Sequence, residues 1–94
     1  MRIVWDEAKR AANLVKHGYD FAEFARAFDR DTALTLPTAA SRLGRVRYLL
    51  LGTWNETRVV AVITSPLGRE ALSLVSVRTA SPQEREAYER HAQG

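Results

Sequence analysis

The sequence has no cysteine, one methionine, two histidines and three prolines among its 94 residues. Without cysteine there is neither a disulfide scaffold nor a thiolate metal site, and the composition suits a reducing, cytoplasmic compartment. Two histidines with no His-x-x-x-His spacing do not make a catalytic zinc site, so no metal and no cofactor are expected. A glycine-rich phosphate loop and a Gly-x-Ser-x-Gly turn are both absent, which removes the nucleoside-triphosphatase and serine-hydrolase templates. Apolar runs such as Tyr48–Leu51 fall far short of the ~20 residues that span a bilayer, so no membrane partner is expected. Asp6 and Glu7 interrupt the place where the apolar core of a secretory leader would sit.

What is present is ordinary for a folded chain: 46% apolar and 27% charged residues, enough for one domain spanning residues 1–94. The charge is biased. Lys and Arg number 14 against 11 acids, a net charge of +3, and all but Lys9 and Lys16 of these bases are arginine. Guanidinium grips phosphate with a planar two-pronged fork, so this bias matters. Arg42, Arg45, Arg47 and Arg58 fall in a stretch whose single acid is Glu56. Such a patch fits RNA or DNA, or is a solvated surface that happens to carry arginine.

The order of elements follows from period and punctuation. Ile3–Trp5 reads as a short edge strand. Asp6 is an N-cap for a helix running to His17, with Gly18 beyond its last turn. Ala8, Ala11, Ala12 and Val15 form a thin apolar stripe that is expected to pack inward. Asp20 with Glu23 makes a capping box, with Tyr19 and Phe24 as its staple, opening a second helix lined by Phe21, Phe24, Ala25 and Phe28. Strands are expected over 33–36, 46–54, 58–64 and 71–78. A third helix starts at Ser81-Pro82-Gln83-Glu84. The spacing therefore predicts an α+β fold: two N-terminal helices, an antiparallel sheet of about four strands and one C-terminal helix.

Two groups of residues carry candidate chemistry. At ~100° per residue, Asp6, Lys9, Asn13, Lys16 and His17 share one side of the first helix. This side gathers cations, an amide and an imidazole, the groups that phosphodiester cleavage uses for charge and protons. It is equally readable as a solvated face. Arg47 and Arg78 lie on strands, where they serve either as phosphate ligands or as partners of Asp29, Asp31 or Glu84. Trp5 and Trp54 either stack on bases or fill the core.

Trp5-Asp6, Lys9, Asn13, Lys16-His17-Gly18 and Phe21 resemble the N-terminal signature of the BrnT family of ribonuclease toxins. The similarity continues through Gly44, Arg47, Gly52, Ser76, Arg78, Ala80-Ser81, Glu84-Arg85 and Tyr88. The resemblance implies a RelE-like fold, metal-free cleavage of RNA and silencing by a DNA-binding, BrnA-like antitoxin. It also implies assembly as a homo-oligomer or a toxin–antitoxin hetero-oligomer. On this reading His17, Lys9, Arg47 and Arg78 are catalytic, and Asn13, Lys16 and Arg45 bind RNA. Two positions depart from the family pattern. Leu43-Gly44-Arg45 stands where Tyr-Gly-Glu is usual, and Ser73 stands where an arginine usually opens the last strand. The alternative is a non-catalytic protein that binds RNA or docks an antitoxin.

Overall fold

A computed structural model describes residues 1–94. The chain runs β1 (Arg2–Val4), α1 (Glu7–His17), a 3-10 turn (Phe21–Glu23) leading into a single helical turn α2 (Phe24–Ala27), β2 (Leu34–Thr38), β3 (Arg47–Trp54), β4 (Arg58–Leu67), β5 (Ala71–Thr79) and α3 (Pro82–Gln93). The strands form one sheet in the order β1-β5-β4-β3-β2. β2 through β5 pair antiparallel, and β1 adds in parallel against Ala71–Ser73. The sheet is thus mixed and five-stranded, where an antiparallel sheet of about four strands is expected from the sequence. Pro37 sits on the outer strand β2, where its missing N–H costs no ladder bond on the solvent side.

The second helix is also shorter than its aromatic spacing predicts. Phe28 leaves the helix in an extended conformation to bridge Trp54, and the Asp29 amide donates to the Thr53 carbonyl at 3.1 Å. Pairing with β3 therefore ends the helix after one turn. Asp20 does cap this segment by accepting from the Ala22 amide, but Glu23 turns outward to Arg26 rather than closing a capping box.

Parity along the strands sorts side chains onto two faces. Trp54, Val60, Val62 and Val77 lie on one face under Phe21, Phe24 and Phe28, all three of them buried, whereas Ala25, expected beside them, is exposed and Ala27 is buried because the helix ends after one turn. The Phe24 and Phe28 rings stack at 4.9 Å, and Tyr19 meets Trp54 edge-on at 5.3 Å. Gly52 lies beneath the Phe28 ring, where a Cβ would come within 2.8 Å of a ring carbon, so the ring's seat requires glycine. On the opposite face Leu51 and Ala61 pack against Tyr88 of α3. That helix begins at a complete capping box between Ser81 and Glu84.

α1 packs in the reverse sense to its alanine stripe. Ala8, Ala11 and Ala12 are exposed and Val15 is 90% exposed, while Asn13 is the one buried residue of the helix. The cause lies in the sheet. β1 covers β5 only as far as Ser73, so the outer edge of β5 beyond it needs hydrogen-bond partners. The Asn13 amide supplies them: its Nδ2 donates to the Val77 and Tyr19 carbonyls, each at 3.0 Å, and its Oδ1 accepts from the Val77 amide at 3.0 Å. A two-sided polar demand outranks a thin strip of methyl groups.

Two forked ion pairs lock the helices at their ends. Arg10 grips Asp20 at 2.7 and 3.1 Å, and Arg78 grips Glu84 at 2.7 and 2.9 Å. Arg10, helped by the Ala22 amide, holds Asp20 at about 2, and Arg78 likewise holds Glu84 at about 2. Both carboxyls are depressed from usual values of roughly 4, so their contribution to stability is complete above that range and is lost as they take up protons. The thermal midpoint should fall as pH is lowered from about 5 toward 2, and Arg78→Ala should flatten part of that fall. Asn13→Ala strands a buried amide and two carbonyls, so it should cost about 2–4 kcal/mol. Asn13→Asp, isosteric but without donors, should do no better. Thermal and denaturant melts of the two variants check both statements.

Candidate phosphate-binding cleft

The sheet is least regular where α1 crosses its edge. Between β4 and β5 the register runs Ile63–Ser76 and then Thr64–Leu74, so Val75 is an extra, bulged residue. Between β3 and β4 the ladder ends at Tyr48–Thr64. Beyond it the Ser65 hydroxyl, on a residue only 4% exposed, donates to the Val46 carbonyl at 2.8 Å. The connection before β3 closes on itself. The Ser41 amide donates to the Arg45 carbonyl, and the Arg45 amide donates to the Ser41 hydroxyl, both at 3.0 Å. Gly44 supplies the left-handed residue, φ +78°, that this small loop requires.

These irregularities leave a cleft of about 390 Å³. Lys9 enters it from α1, Arg42 and Arg45 from the loop, and Arg47 from the start of β3; Ser65, Ser73 and Val75 line it from β4 and β5. No acid lines it. Arg10, Arg26, Arg78, Arg85 and Arg90 each have a carboxylate within 4.0 Å, whereas none of the four cleft cations is ion-paired. Four unneutralised cations around one hollow repel one another, and a bound polyanion relieves that repulsion. A shallower groove of about 220 Å³ adjoins it along α1, shares Lys9 and Val75, and adds Lys16 and His17.

The residues singled out in the sequence are therefore distributed unevenly. Lys9, Arg45 and Arg47 come together in the cleft, and Lys16 and His17 lie in the adjoining groove. Asn13 also borders the groove, but its amide is spent on Tyr19 and Val77, so it has no donor left for RNA. Arg78 does not reach the cleft: Leu51, Ala61 and Arg78 align across the sheet, which sets Arg78 roughly 16 Å from Arg47 by strand spacing and rise. Its fork is occupied by Glu84. Arg58, at the far end of β4, lines a different hollow beside Arg85. Trp54 is core, and the Trp5 ring nitrogen donates to Glu7. Arg42 stands out in the sequence only within the basic stretch and Ser73 only as a departure from the family pattern, while Ser65 carries no local signal, because the bulge and the loop's fold are what gather them with Lys9.

A family model described as the ribonuclease toxin BrnT of type II toxin–antitoxin systems matches residues 5–84. No match is found among curated proteins. The 1.1 Å crystal structure of the Brucella abortus ribonuclease toxin BrnT is 42% identical, covers 86% of this chain and 97% of its own, and superposes with a TM-score of 0.71. With a family match over most of its length and a solved relative at this identity, the chain belongs to the BrnT family of type II toxin–antitoxin ribonuclease toxins.

Proposed function

We propose that this chain is one RelE-like toxin domain that cuts RNA without a metal and is silenced in the cytoplasm by a DNA-binding, BrnA-like antitoxin, with which it forms a hetero-oligomer. The observation that carries the reading is the cleft, where Lys9, Arg42, Arg45 and Arg47 converge with no acid among them. The two positions that depart from the family pattern, Arg45 and Ser73, both line it. One gains a base and the other becomes a neutral hydroxyl, so the lining stays cationic.

In this mechanism the RNA 2′-hydroxyl attacks the adjacent phosphorus and the bond to the 5′-oxygen breaks. The products are a 2′,3′-cyclic phosphate and a 5′-hydroxyl, so one proton leaves the nucleophile and one reaches the leaving group. Arg47 enters the cleft from the first residue of β3, and in this reading its guanidinium meets the charge that develops on the phosphorane oxygens. Lys9 lines both hollows and His17 the groove, and in this reading these two move the protons. Arg42, Arg45 and Lys16 hold flanking phosphates. Arg78 is assigned to the seating of α3 through Glu84 rather than to the reacting phosphate.

Purified protein should degrade RNA in excess chelator, leaving cyclic-phosphate ends. Arg47→Ala should lower the rate roughly a hundredfold with little change in thermal midpoint. Arg78→Ala should do the opposite, lowering the midpoint while leaving the rate per folded molecule within a few-fold. RNA binding without cleavage, with or without divalent metal, would instead establish a non-catalytic RNA-binding protein.

A further inference from the structure

We infer that Ser65 is a positioning residue for Arg47: its hydroxyl, bonded to the Val46 carbonyl, fixes the backbone from which Arg47 enters the cleft. The inference rests on the ribonuclease reading only for its effect on catalysis; the structural role stands on the following geometry.

Arg47 has no side-chain partner, so the direction of its guanidinium is set by its backbone and rotamer alone. That backbone is weakly held. On one side its neighbour is Thr38, the last residue of the outermost strand, with no further strand beyond it. On the other side the β3–β4 ladder has already ended at Tyr48–Thr64. The chain before it offers no anchor, since the Ser41–Arg45 loop bonds to itself. The Ser65 hydroxyl fills the gap left by the ladder, at 2.8 Å from the Val46 carbonyl, the distance of a well-formed O–H···O bond. Ser65 is itself held, because it stays in register with Ser73 of β5 past the bulge. One buried hydroxyl thus connects the regular sheet to the strand start that carries Arg47 and to the loop that carries Arg42 and Arg45.

The test compares Ser65→Ala, which removes the donor, with Ser65→Thr, which keeps it. Two quantities are read on the same preparations: RNA cleavage split into kcat and KM well below the melting temperature, and 15N relaxation of the Arg47 Nε–H group. Ser65→Ala should lower kcat roughly tenfold or more, with KM changed by less than about threefold, since small misplacement of a charge-stabilising group costs rate before binding. The Arg47 side chain should become measurably less ordered in that variant, and Ser65→Thr should restore both quantities. Wild-type kcat together with wild-type Arg47 order in Ser65→Ala would overturn the inference, even if the melting temperature falls. Should the wild-type protein bind RNA but not cut it, the ribonuclease reading fails, and the relaxation of Arg47 in the two variants still decides the positioning role.

Discussion

The bond pattern between Asn13 and Val77 is the constraint on which the rest of the arrangement depends. A sheet edge that ends inside a protein must find partners for its outward amides and carbonyls, and β1 is too short to supply them all along β5. One side-chain amide can imitate a neighbouring strand because it carries a donor and an acceptor at about the spacing of a peptide group. Meeting that demand fixes the rotation of α1 about its axis. The rotation then sends Ala8, Ala11 and Val15 to solvent and places Lys9, Lys16 and His17 beside the hollows at the edge of β5. A single core polar residue therefore orients the cationic face without touching an anion itself.

The cleft follows from a second constraint, the failure of the sheet to remain regular. A continuous ladder through Thr64 and Ser65 would leave a flat surface at this corner. The bulge at Val75 and the early end of the β3–β4 ladder open it instead. Arginine serves two ends in this protein, and the presence of a carboxylate decides which. Paired forks such as Arg10–Asp20 and Arg78–Glu84 tie elements together, and their charge is internally cancelled. The cations of the cleft have no carboxylate partner, so their charge is not cancelled within the chain. Sequence spacing treats Arg47 and Arg78 alike, as arginines on strands; only the position of Glu84 separates them.

Legibility tracked the range of the interactions involved. Caps and turns were readable because their partners lie within a few residues: Asp6, Gly18 and the Ser81–Glu84 box all act where their spacing places them. The aromatic face of Phe21, Phe24 and Phe28 was readable for the same reason, though the helix that carries it was cut to one turn by a bridge to Trp54, 26 positions away. The alanine stripe on α1 faces solvent because methyl periodicity is a local signal, whereas the amide demand of Val77 comes from 64 positions away. The Asp20–Glu23 pair failed as a box once Arg26 offered Glu23 a charged partner.

Family membership, the basic balance and most element boundaries are determined by the sequence alone, since each rests on residue identity and short spacing. The strand alternation that puts Arg47 opposite Tyr48 belongs to the same group. Which cations remain unpaired, which amide is consumed inside, and which serines line the cleft were decided only by the tertiary structure. The physical reason is that an ion pair, a β-bulge and an edge-capping amide each depend on a partner whose position is set by how the sheet closes, and no local pattern carries that information.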